Sequence, residues 1–125
     1  MTLLLVALGG AVGTSLRYGL ALLGERWLPE AWFPWGTFAA NVLGSFLLGW
    51  VFVAAEGRTL ADVDLRLVLG TGVMGGFTTY SSYNLELIRM LADGETMRGA
   101  TYLLATILVC LAAGFAGLAL GRLLR

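Results

Sequence analysis

Histidine is absent from all 125 residues, and cysteine occurs once, at Cys110. Without imidazole there is no histidine-ligated haem, no proton-relay imidazole, and no ligand for most transition-metal sites. A lone thiol has no intrachain partner, so disulfides contribute nothing. Charge is scarce as well. Eight acidic and eight basic residues make up 13% of the chain and cancel, where a soluble domain carries roughly a quarter. All eight basic residues are arginine and they form no run, so nothing in the chain suits a nucleic acid.

What the chain does have is apolar length, with 58% hydrophobic residues. Four stretches are poor in charge: Met1 to Gly24, interrupted by Arg17; Ala31 to Ala55; Leu67 to Leu85; and Gly99 to Gly121. A bilayer-spanning helix needs roughly 20 such residues. The expected fold is therefore an all-α integral membrane protein, a single four-span transmembrane domain over residues 1–125. The start lacks the positive n-region of a signal peptide, so the first span is expected to be retained. Trp27, Trp32 and Trp35 fall around the first loop and suit an interfacial aromatic belt.

Orientation follows the arginine bias between short loops. Arg58, Arg66, Arg122 and Arg125 fall on the side of the N-terminus, and Arg17, Arg26, Arg89 and Arg98 on or toward the other. An even tally gives no reason to choose one orientation, which predicts insertion both ways and an antiparallel dual-topology dimer. The alternative is that Arg17 and Arg89, in or near the spans, count for less than the rest. Arg17 itself either snorkels to the interface or draws anions into a vestibule.

The third stretch is unlike the others. From Gly70 to Asn84 it reads Gly-Thr-Gly-Val-Met-Gly-Gly-Phe-Thr-Thr-Tyr-Ser-Ser-Tyr-Asn. Each glycine costs a helix interior about 1 kcal/mol relative to alanine, and seven residues with hydrogen-bonding side chains follow. This predicts a third helix broken at Gly75-Gly76. In a membrane, freed backbone is tolerated only where it is buried in protein or lines a cavity. Glycines used purely for close helix packing are the competing account.

Two further polar stripes flank this stretch. Thr37, Asn41 and Ser45 recur every fourth residue in the second span, and Tyr102, Thr106 and Cys110 do so in the fourth. Asn41 offers two N–H donors and an acceptor, for a cavity or for a bond to a neighbouring helix. Gly9 with Gly13, and Gly114 with Gly117 and Gly121, are small faces for packing. Glu86 and Arg89 stand three apart near the span end and read as a surface pair. With neutral donors abundant and no carboxylate expected at mid-depth, proton-coupled export is disfavoured. An ion exchanging its water for hydroxyls and amides fits better, and aromatic edges such as those of Tyr80 and Tyr83 favour an anion.

The segments GGFTTYSSYN, GTFAANVLG and GGAVGTSLRY, in this chain's order from last to first, together resemble those of the Fluc (CrcB-type) fluoride channels. The resemblance extends over all four spans. It implies passive fluoride export through two pathways in an antiparallel homodimer in the cell (plasma or inner) membrane. By the same resemblance, the backbone carbonyls of Gly75 and Thr78 hold a structural sodium ion at the dimer interface. Asn41, Thr79, Tyr80, Ser81, Ser82, Tyr83, Tyr102, Thr106 and Cys110 line the path, and Arg17 stands with Thr37 at the vestibule. The chain departs from the family in two places. Tyrosine replaces the usual phenylalanine at positions 80 and 83, and Cys110 stands where a hydroxyl would donate better. The rival readings are a small four-span multidrug exporter, which would need an acid in the first span, and a non-transporting assembly subunit.

Overall fold

The computed structural model describes residues 1–124, so Arg125 and its share of the arginine tally lie outside the described residues. Helix α1 runs over Thr2–Trp27, α2 over Trp35–Ala54 and α5 over Thr96–Leu123. All three are long and apolar enough to cross a membrane. At 1.5 Å per residue, the 20 residues of α2 reach about 30 Å, the thickness of a hydrocarbon core. Helix α1 stops where Pro29 withholds its N–H, and the Leu28 N–H closes the last turn on the Gly24 carbonyl. Pro34 then precedes the first turn of α2.

The third apolar stretch is the broken one. It opens as a π-helical segment, Leu67–Met74, passes into a short helix α3 (Gly75–Phe77), and resumes as α4 (Tyr80–Ala92). The interruption is at Thr78 (φ −84°, ψ 156°) and Thr79 (φ −149°, ψ 115°), both extended. This corrects the expected position. Gly75 keeps right-handed helical angles (φ −61°, ψ −37°), and the chain runs unbroken through Gly75-Gly76. A glycine's helix penalty of about 1 kcal/mol is smaller than the gain from packing, and both Gly72 and Gly76 are packed. A Cβ on Gly76 would lie 2.5 Å from the Gly10 carbonyl oxygen, and one on Gly72 would lie 2.9 Å from that of Val6. The glycines of the two segments thus let α1 touch the third stretch backbone to backbone, and Gly13 faces the Val73 carbonyl in the same seam. For Gly72 and Gly76, close packing is the correct reading.

Helices α2 and α5 form the most extensive contact in the chain. It too rests on glycine: a Cβ on Gly121 would meet the Trp50 carbonyl oxygen at 3.2 Å, and Gly117 lies against the Phe46 carbonyl. Between α2 and the third stretch, the expected polar loop contains a small antiparallel hairpin, β1 (Thr59–Leu60) on β2 (Val63–Asp64), with Leu60 opposite Val63. Ala61 and Asp62 both have positive φ (49° and 64°), as a two-residue type I′ turn requires. Asp64 pairs with Arg66 at 3.1 Å, and the guanidinium's hydrogen bonds hold the carboxyl below its ordinary range.

Candidate functional site

The side chain of Asn41, the seventh of the 20 residues of α2, pairs with the break at Thr79. Its Oδ1 accepts the Thr79 N–H (2.8 Å) and its Nδ2 donates to the Thr79 carbonyl (3.1 Å). An amide carries both functions, so one side chain satisfies a whole peptide residue that has left the helix, as a neighbouring strand would. Downstream, the Thr79 hydroxyl accepts the Ser82 N–H (3.2 Å) and donates to the Ser82 hydroxyl (3.1 Å), and it lies 3.3 Å from that of Ser81. Thr79 is therefore the N-cap of α4. Upstream, Thr78 donates its hydroxyl to the Met74 carbonyl (2.9 Å).

These bonds leave a consequence at two carbonyls. In a continuous helix the Thr79 N–H would bond to Gly75 and the Ser82 N–H to Thr78. Both donors are diverted, to Asn41 and to the Thr79 hydroxyl. The Gly76 carbonyl takes Arg17 Nε at 3.2 Å and the Thr14 hydroxyl at 3.4 Å. Arg17 is half-buried and turned onto the break.

On the first turns of α4 the rings of Tyr80 and Tyr83 adjoin, with centroids 5.9 Å apart. Their environments differ sharply: Tyr80 is 77% exposed and Tyr83 5%. The Tyr83 ring meets that of Tyr102 edge-on at 5.1 Å, and Tyr102 meets Phe33 in the same way at 5.2 Å. A ladder of four rings thus runs from an exposed face into the interior. Tyr102 is wholly buried on α5, with Thr106 buried one turn further on and Cys110 half-buried, its thiol in reach of Ser45. The stripes of α2 and α5 therefore face each other, with the start of α4 against them.

Glu86 departs most from expectation. It does not form a surface pair with Arg89. Its Oε1 accepts the Thr37 hydroxyl and its Oε2 the Tyr102 hydroxyl, each at 2.6 Å, the length of a hydroxyl-to-carboxylate bond. The chain thus has an inward-facing acid, held at the loop end of α2 by Thr37, the third residue of that helix. The hydroxyl protons of Thr37 and Tyr102 are committed to it. Glu86 lies four residues after Ser82 and three after Tyr83, on the polar face of α4, and that spacing is a sequence signal for its placement. A cavity of about 290 Å³ opens beside it, lined by Glu25, Pro34, Trp35, Thr37 and Glu86 among others. Phe33, in the loop assigned only to anchoring, is also part of the site through its contact with Tyr102.

Two hydroxyls remain. The Tyr83 hydroxyl and the Thr106 Oγ1 are buried and have no hydrogen-bond partner among the described residues. No cluster of three or more metal-ligating side chains occurs among the described residues.

The family model described as "CrcB-like protein, Camphor Resistance (CrcB)" matches residues 4–118. A "Fluoride-specific ion channel FluC" of Hyphomonas neptunium is 47% identical over 123 residues, covering 95% of this chain and 94% of that protein. Proteins with the same name from Agrobacterium fabrum (47% over 118 residues, 94% of each chain) and Anaeromyxobacter dehalogenans (49% over 123 residues, 96% of this chain and 94% of that one) are similar to the same extent.

Proposed function

The chain belongs to the CrcB family, and on that premise we propose that it is a fluoride-selective channel through which the ion leaves the cell down its electrochemical gradient. It is a membrane protein and not an enzyme: no bond is made or broken. Its setting is the cell (plasma or inner) membrane. Fluoride entering as the weak acid and dissociating inside would leave through it.

One observation carries the reading: a track of rings and neutral hydroxyls leads from the exposed Tyr80 past Tyr83 to Tyr102, Thr106 and Cys110. A permeating ion must find replacements for its water. Ring edges and hydroxyl protons replace it for an anion and repel a cation. Ser81, Ser82 and Thr79 supply hydroxyls at the entrance, and Asn41 retains an amide proton beyond the one given to Thr79. Arg17 brings positive charge to the break, and Thr37 stands beside the cavity at the loop.

The active unit in this reading is a homodimer of antiparallel copies with two pathways, lying in the bilayer without nucleic acid or another protein. A sodium ion sits at the dimer interface on the carbonyls of Gly75 and Thr78. The fit rests on those two groups having lost their helical donors, and on Gly75 being exposed. Unwound backbone carbonyls are ligands suited to sodium. Bound there, the ion would supply fixed positive charge to the breaks of both copies.

The test is efflux from proteoliposomes loaded with fluoride or chloride and read with ion-selective electrodes. Fluoride should leave without a proton gradient or partner protein, and chloride should stay. A protein that releases no fluoride under these conditions is not this channel.

A further inference from the structure

Phe33 lies in the loop between α1 and α2, yet it is 9% exposed and joins Tyr83, Met90 and Tyr102 in the buried core. Loops ordinarily run over the surface, so a ring drawn inward from one calls for a reason. That ring meets Trp32 edge-on at 5.4 Å, Phe38 at 5.1 Å and Tyr102 at 5.2 Å. The loop is docked on α5 at two points. Arg98 lies over the Trp32 ring at 5.6 Å, within reach of a cation–π contact, and its guanidinium is also paired with Glu95. Arg98 and Tyr102 stand four apart on one face of α5, so the adjacent loop residues Trp32 and Phe33 seat on consecutive turns of that helix.

In the ladder of rings Tyr102 comes between Tyr83 and Phe33, and its phenol donates to Glu86 Oε2 at 2.6 Å. A ring held at fixed angles by its neighbours keeps its hydroxyl pointing one way. We propose that Phe33 is a positioning residue for the pathway: seated by Trp32 and Arg98, it holds the Tyr102 ring at the angle from which the phenol reaches Glu86. The proposal rests on the channel reading and adds to it residues that touch no ion. Phe33 also precedes Thr37 by four residues, with the Trp35 N–H closed on the Phe33 carbonyl at 2.8 Å. One loop therefore sets both hydroxyls that cover the Glu86 carboxylate. A carboxylate covered by two hydroxyl protons turns less negative charge toward an anion, and uncovering it slows fluoride.

Two readouts separate positioning from packing. The first is the hydroxyl-bearing ring carbon of Tyr102, labelled with carbon-13 in the purified full chain. The chain has four tyrosines, and Tyr102→Phe identifies the signal by its loss. Phe33→Leu keeps an apolar side chain without the ring, and should move that resonance toward the position of the exposed Tyr18. Trp32→Ala, at a residue 42% exposed, should move it the same way by a smaller amount. Trp32→Phe, which returns a ring to Arg98 and Phe33, should restore it. The second readout is fluoride efflux. Phe33→Leu should slow it by up to about tenfold, the span that the geometry of an aromatic pair covers, and should slow it no further in a Tyr102→Phe background. A Tyr102 resonance unmoved in both Phe33→Leu and Trp32→Ala overturns the proposal, as does equal slowing by Phe33→Leu with and without the Tyr102 hydroxyl. A ring that only packs would lower the melting temperature and give those two results. Wild-type proteoliposomes that release no fluoride sink the channel reading instead, and the resonance still decides whether Phe33 positions Tyr102.

Discussion

Asn41 and Thr79, 38 residues apart in the chain, are joined by two hydrogen bonds that turn a side-chain amide into the pairing partner of one backbone residue. That pairing fixes where the third stretch leaves its helix. It also takes the N–H that a continuous helix would give to the Gly75 carbonyl, and it leads into the start of α4, from which Tyr80, Tyr83 and Glu86 project.

Replacing Asn41 with leucine should be among the most damaging single changes. It strands the Thr79 N–H and carbonyl, at about 1–3 kcal/mol for each group left without a partner. Asn41→Asp keeps the acceptor and loses the donor, so its loss should be smaller. Reversible unfolding in mixed micelles gives the order; equal stability of wild type and Asn41→Leu would show that the clamp is dispensable.

The Glu86 bridge predicts coupling. Glu86→Leu leaves the wholly buried Tyr102 hydroxyl unpaired, and Tyr102→Phe leaves a carboxylate oxygen unpaired. Removing both should cost less than the sum of the single losses, with a coupling of about 0.5–3 kcal/mol. Additive losses in a double-mutant cycle would mean that the 2.6 Å bond contributes nothing to stability.

Glycine contacts divide into essential and indifferent ones. Gly76→Ala would press its Cβ to 2.5 Å from the Gly10 carbonyl oxygen, an overpacking cost of about 1–3 kcal/mol. Gly19 has open space in place of a Cβ, and Gly19→Ala should stabilise α1 by up to about 1 kcal/mol. Thermal unfolding of the two variants should move in opposite directions.

In the hairpin, Ala61 holds a left-handed conformation at φ 49°, where a Cβ costs roughly 1–2 kcal/mol. Ala61→Gly should therefore protect the loop, read as slower amide exchange at Leu60 and Val63. Faster exchange would count against the turn geometry.

The same loop has a pH dependence. Hydrogen bonds from Arg66 depress the folded-state pKa of Asp64 below its unfolded value. A depressed carboxyl adds stability that is complete above the unfolded pKa and is lost as pH falls through the folded one. Loop order should therefore be flat at neutral pH and decline only in acid below the ordinary aspartate range. Titration of the Asp64 side-chain resonance checks this; a midpoint at or above that of an unstructured peptide would contradict it.

The four apolar stretches, the loops between them and the polar stripes were legible because each depends on residues adjacent in sequence or one helical turn apart. A span needs length without charge, and a stripe needs a period of about four. The existence of a break was legible for the same reason, since glycines and hydroxyls weaken the local helix. Its position was not. Local propensity pointed to Gly75-Gly76, but those residues gain more by packing on α1, and the helix yields instead where Asn41 supplies an alternative partner. The hairpin escaped notice because Ala61 and Asp62 lack the glycine that marks such turns.

Glu86 separates the two kinds of information most clearly. Sequence spacing offered it Arg89, three residues away, as a solvent-facing partner. Its real partners, Thr37 and Tyr102, come from α2 and α5, brought together by glycine-lined helix faces that let backbones touch. The sequence by itself determined that this chain lies in a membrane, how many apolar segments it has and which neutral polar groups they carry, because solvation acts on each residue where it stands. Only the tertiary structure decided which hydroxyls are spent on Glu86, which backbone groups are freed, and which two donors are left over, because a hydrogen bond is settled by whichever partner the packing brings within 3 Å.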